Sequence, residues 1–165
     1  MNIWISNILR FAICILLQVL IINNLNVMGI CTPLLYVYFL IALPPQLPRW
    51  AELLIGAATG LIIDIFCNSL GINMAACVLV SYLRPLLLSA MVQEKQRLTE
   101  TINSKNIGMA TYLRLIAIII AAHHTVVIML DSFTFHYFYL TLLNIILSSV
   151  ITFLLIAGYE LLEQR

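Results

Sequence analysis

Seven side chains of this 165-residue chain invite a chemical reading: Asp64, the adjacent pair His123 and His124, and the cysteines Cys14, Cys31, Cys67 and Cys77. A carboxylate inside an apolar run suits a proton or ion relay, because burial makes its ionisation sensitive to its partners. Asp64 stands in "GAATGLIIDIFCNSLGIN", eight residues after Gly56 and four after Gly60. Histidines next to each other suit a metal only if both rings reach one ion, yet neighbours on a helix point about 100° apart. No HExxH or other His/Cys ligand spacing accompanies them, and the four cysteines form no CxxC pair. We therefore expect no metal and no cofactor, and read the cysteines as small apolar residues. Asp131 and His136 read as interfacial residues. Enzyme signatures are also missing: no GxSxG elbow, no phosphate-binding loop and no paired carboxylates for intramembrane proteolysis. The expectation is a protein without catalysis.

The elements that position these residues follow from composition. The chain is 63% hydrophobic and 9% charged, with mean hydropathy +1.07, where a soluble domain is about 25% charged. It reads as one all-α membrane domain over residues 1–165. The net charge of +1 gives no case for nucleic acid. Six apolar segments are expected, at about 4–22, 27–43, 50–66, 72–92, 109–130 and 135–162. The first lacks a small-x-small cleavage site after it and reads as a retained helix. The second, "PLLYVYFLIAL", is short for a bilayer and ends at Pro44-Pro45. It must borrow from Val27–Cys31 or be a broken or tilted helix packed against protein.

Basic residues orient the bundle. Arg10, Arg49, Arg84, Lys95, Arg97, Lys105, Arg114 and Arg165 all fall at one side of a six-span arrangement, while the first, third and fifth loops carry none. The positive-inside rule makes that side cytoplasmic, with both termini. "QEKQRLTETINSKN" reads as a solvated cytoplasmic connection or a filament-docking segment. "FTFHYFY" reads as an interfacial aromatic belt or a docking surface for a partner helix.

Glu52, Gly56, Gly60, Asp64 and Asn68 recur every four residues and so share a winding stripe on the third helix. Glu52 is expected at the cytoplasmic interface. The glycines form a GxxxG pattern suited to close helix packing, or to close approach of a ligand. At about 1.5 Å per residue, Asp64 lies about 18 Å above Glu52, and Gln18, His123, His124 and Asn144 come within about two helical turns of its depth. Arg84 falls about 20 Å towards the cytoplasm, where its chain can snorkel. The expected arrangement is a polar cluster of Gln18, Asp64, His123, His124 and Asn144, with one of the histidines as the aspartate's partner. A hydrated aspartate at the helix end, or a relay, stays open beside it.

Pro33 opening the second segment, "GAATGLIID" in the third, Gly71 after it and "SYL" in the fourth give this chain a resemblance. In layout and in these residues it resembles the MreD family of rod shape-determining membrane proteins. The resemblance implies a non-enzymatic scaffold subunit of the bacterial cytoplasmic membrane. It would bind MreC and connect MreB filaments to the peptidoglycan glycosyltransferase and transpeptidase, with Gly56, Gly60, Asp64 and Gly71 as helix-packing or partner-interface candidates. It also implies a fold resembling the substrate-binding subunits of energy-coupling vitamin transporters. A small-molecule-binding transporter subunit is therefore the alternative. Membrane lipid is the remaining expected partner.

Overall fold

The structure, a computed structural model, describes residues 3–22, 31–99, 101–132 and 138–163. Every regular element among them is a helix: α1 (Ile3–Leu20), α2 (Val37–Ile41), α3 (Arg49–Cys67), α4 (Ile72–Met91), α5 (Glu94–Arg97), α6 (Ser104–Ile107), α7 (Met109–Ser132) and α8 (Phe138–Glu163). Four of these, α3, α4, α7 and α8, are long and apolar enough to cross a membrane, and α1 is a shorter apolar helix over Asn7–Leu20. The protein is a multi-pass membrane protein. Its exposed surface agrees, since Ile8, Leu20, Leu54, Ile65 and Leu154 face outward with most of their area uncovered, which suits lipid and not water.

The expected six-helix count is not met as whole helices. The second apolar segment keeps only the five residues of α2 helical. Residues 31–34 precede it as non-helical chain, and turns carry the chain on through Pro44-Pro45 to Pro48. Residues 27–30 of the expected span lie outside the described residues. Proline accounts for the break at both ends: Pro33 restricts the residue before it and lacks an N–H, and Pro44, Pro45 and Pro48 cannot extend a helix that ends at Ile41. The segment is nevertheless the centre of the molecule. Tyr36, Val37, Leu40 and Ile41 have no exposed surface and join the core with Ile63, Cys77, Val80, Leu115, Ile116, Ile119 and Ile120.

Around it, α3 and α4 form a tight hairpin, and α7 and α8 pack in succession. Segment 31–43 runs antiparallel to α1 and parallel to α8. Its start meets Gln18 and Ser148, while its end meets Arg10 and, at Tyr38, the Tyr159 ring with centroids 5.4 Å apart. The polar connection between α4 and α7 is more than a solvated loop. Ile102 and Ile107 are buried, Ser104 N and Oγ both donate to Glu160 Oε1 at 2.7 and 2.5 Å, and Gln46 Nε2 donates to Leu98 O at 2.7 Å. Residues 133–137, which hold most of the aromatic cluster and His136, lie outside the described residues; Phe138 and Tyr139 are exposed.

Candidate functional site

Asp64 closes one helix and opens the next. Its carbonyl accepts from the N–H groups of Asn68 and Ser69, with Asn68 in the left-handed region at φ 53°. This ends α3 as C-terminal caps do. Its carboxylate then turns to α4. Oδ1 accepts from Ser69 Oγ at 2.6 Å, Asn73 N at 3.0 Å and Asn73 Nδ2 at 3.0 Å, and Oδ2 accepts from Met74 N at 2.9 Å. Asn73 and Met74 belong to the first turn of α4, whose N–H groups have no partner within the helix. The residue at the cap position, Gly71, has no side chain to serve them. Asp64 supplies the missing cap from the preceding helix, and its negative charge sits favourably at the helix N-terminus.

This corrects the partner expected for Asp64. Neither His123 nor His124 bonds to it; Ser69, Asn73 and Met74 occupy its acceptor sites, because the turn brings them within reach before α7 can. Gly71 is also corrected: it is a turn residue at φ 84°, and nothing lies within 4 Å of where its Cβ would be, so it is not a packing residue.

Gly56 and Gly60 lie where α3 and α4 touch. A Cβ on Gly60 would meet Asn73 O and Met74 N at 2.6 Å, and one on Gly56 would meet Cys77 O at 2.9 Å. These are backbone atoms, which cannot swing aside. The glycine stripe therefore serves a contact within the chain, and these two residues are not available as a partner interface.

The other polar residues expected near the depth of Asp64 gather on the non-helical start of the second segment. Such backbone is tolerated at membrane depth only where other groups meet its N–H and C=O. Gln18 does this with both ends of its amide, accepting from Leu35 N at 2.7 Å and donating to Pro33 O at 3.2 Å. From α8, Ser148 Oγ accepts from Thr32 N at 3.1 Å and Thr152 Oγ1 accepts from Leu34 N at 3.2 Å. Ser148 in turn donates to Asn144 Oδ1 at 2.8 Å. His124 lies 3.1 Å from Thr152 through Nε2 and 3.0 Å from Ile120 O through Nδ1. A carbonyl can only accept, so in the neutral ring Nδ1 carries the hydrogen and Nε2 is an acceptor. The single hydroxyl hydrogen of Thr152 faces both that nitrogen and Ser148 O, 2.9 Å away, which leaves the oxygen lone pairs to receive the Leu34 amide.

His123 packs edge-on against the Tyr36 ring at 5.2 Å and lies 3.9 Å from Cys77 Sγ through Nε2. Tyr36 donates to Asn73 Oδ1 at 2.7 Å. The predicted cluster residues are thus brought together through Asn73, Tyr36 and Thr152, and not around the aspartate. Among the described residues, no group of three or more His, Cys, Asp or Glu side chains is placed to hold a metal ion.

At the opposite end of the segment stands a second polar joint, which the sequence reading missed. Arg84 is 1% exposed and Glu52 2%, and they form an ion pair. Arg84 also donates to Ile41 O through Nε at 3.2 Å and to Leu43 O through Nη2. Arg10 Nη1 reaches Ala42 O at 3.4 Å. Three successive carbonyls at the end of α2, which have no helical partner, are therefore met by two guanidinium groups. Arg84 does not snorkel towards solvent; it and Glu52 are both enclosed by the core. The signal was present in the spacing. Counted from the α3–α4 turn, Glu52 stands 15 residues before Cys67 and Arg84 12 residues after Ile72, a depth difference of only about 4–5 Å.

No family model, curated protein or solved structure matches the chain.

Proposed function

We propose that the protein is a non-enzymatic scaffold subunit of the bacterial rod, or elongation, machinery, a relative of the MreD family set in the cytoplasmic membrane. It crosses six times, the broken second segment counting as one crossing, with both termini cytoplasmic as the distribution of basic residues requires. It binds the single-span protein MreC and, through it, couples MreB filaments to the glycosyltransferase and transpeptidase that build the wall. One observation carries the reading. The interior polar side chains Gln18, Asp64, Arg84, Ser148 and Thr152 all bond to the chain's own backbone. That is the use a rigid platform makes of buried polar groups. A relay or a transport site needs such groups turned towards a path. The outward faces of α3 and α4, with Trp50, Leu54, Ile65, Phe66 and Tyr82 exposed, are suited to lipid or to a partner's transmembrane helix.

Affinity purification from gentle detergent tests this. Recovery of a single-span partner with a large external domain, together with wall-synthesis enzymes, is the expected result. Recovery of a nucleotide-hydrolysing module or a tightly held vitamin-like molecule would replace the scaffold by the transporter-subunit reading.

A further inference from the structure

Along one side of the molecule, α1 and α8 do not close on each other. Between them lies a groove of about 400 Å³ whose floor is Leu35 and Tyr38 of the second segment. Its walls are apolar: Ile13 and Leu17 from α1, Leu155 from α8, each with more than a third of its surface uncovered. Polarity is confined to one end, where Arg10, Tyr38 and Tyr159 meet. Arg10 lies 5.9 Å above the Tyr38 ring. This is the end of the molecule that also carries Ala42, Glu52 and Glu160.

Among the described residues, Arg10 is a cation without a counter-charge. Its hydrogen bonds, to Asn7 Oδ1 at 3.2 Å and Ala42 O at 3.4 Å, both leave from Nη1. The ion pair found among the described residues is Arg84 with Glu52, and no carboxylate lines the groove. An arginine inside a membrane-embedded surface is costly unless an anion or water meets it. The shape of the groove repeats that of a phospholipid, with one charged end flanked by interfacial tyrosines and an apolar remainder. From Arg10 to Leu17 the groove follows α1 for about 10 Å, most of one leaflet's hydrocarbon depth of about 15 Å. Its charge selects the occupant: an apolar transmembrane helix laid there would leave Arg10 without an anion, whereas an anionic headgroup meets it.

We infer that this groove is a binding site for one anionic phospholipid of the adjacent leaflet, its phosphate on Arg10 and an acyl chain along Ile13, Leu17 and Leu155. Basic sites between membrane helices select anionic headgroups in this way. The inference needs only the membrane setting and does not depend on the scaffold reading.

Native mass spectrometry of the detergent-purified full chain tests it, with phosphatidylglycerol and phosphatidylcholine of identical acyl chains as probes. The wild type should keep one phosphatidylglycerol at collision energies that strip phosphatidylcholine. Arg10→Gln, which preserves an amide donor for Ala42, should lower that retention about tenfold, and Arg10→Lys should restore most of it. Leu155→Trp, which fills the apolar wall, should remove the bound lipid while leaving the charge in place. Equal retention of both lipids by the wild type would mean an annular coat only and would overturn the site. So would undiminished retention in Leu155→Trp. Displacement by glycerol phosphate would show a headgroup site without a lipid groove, and displacement by a single-span protein would make it a protein interface.

Discussion

Replacing Asp64 by asparagine separates a structural carboxylate from a chemical one. The structure makes the comparison quantitative. Oδ1 accepts three hydrogen bonds and Oδ2 accepts one, from Met74 N. Asparagine keeps one oxygen, which can hold the Oδ1 position, but its amino group then faces the Met74 N–H, donor against donor. One cap contact is lost and its N–H left without an acceptor, at a cost of about 1–2 kcal/mol. Asp64→Leu loses all four contacts and leaves the N–H groups of both Asn73 and Met74 unmet, about 2–4 kcal/mol. The assay is reversible unfolding in mixed micelles of increasing denaturing-detergent content, read by near-ultraviolet circular dichroism. The expected order is wild type, then asparagine, then leucine. Recovery of the proposed single-span partner at matched protein levels should follow the folded fraction. An Asp64→Asn protein as stable as wild type, or one that is well folded yet fails to recover its partner, would refute the capping account and favour a titrating role.

Four further outcomes follow from the same geometry. Gly60→Ala should destabilise by about 1–3 kcal/mol through overpacking, because its Cβ meets backbone, whereas Gly158→Ala, with nothing within 4 Å, should be neutral or slightly stabilising in the same unfolding assay. Arg84→Met should cost about 3–5 kcal/mol by leaving Glu52 buried without its cation; adding Glu52→Leu should recover part of that loss in a double-mutant cycle. Thr152→Val should cost about 0.5–1.7 kcal/mol, the range for hydrogen bonds between membrane helices, read as an earlier unfolding midpoint. Of single-cysteine variants, Cys67 should react with a membrane-impermeant thiol reagent in folded protein from outside intact cells, while Cys14, Cys31 and Cys77, all buried, should not until the fold is loosened.

Helix positions were legible because long apolar runs with clear ends leave few alternatives. The expected 50–66 and 72–92 became Arg49–Cys67 and Ile72–Met91, and 109–130 became Met109–Ser132. The break in the second segment was visible in its prolines and its short length. What holds that break together was less visible, because its supports come from far along the chain: Ser148 and Thr152 lie more than 110 residues from Thr32 and Leu34. Their spacing was nonetheless a clue. Asn144, Ser148, Thr152, Ile156 and Glu160 recur every four residues and trace one winding face of α8, as Glu52 to Asn68 do on α3. Depth alone misassigned Asp64 to the histidines. Depth ranks residues on different helices, but a tight turn places its own backbone N–H groups closest, and that local competition wins.

The central claim is that polar side chains of the interior exist to hold the chain's own broken second segment. Hydrogen exchange at the amides of Leu34 and Leu35, measured in the same membrane mimetic for wild type, Thr152→Val and Gln18→Leu, tests it most directly. The account predicts faster exchange at Leu34 in the first variant and at Leu35 in the second, with the α7 amides Ile116 to Ile120 unchanged in both. Unaltered protection of Leu34 and Leu35 in both variants would contradict it.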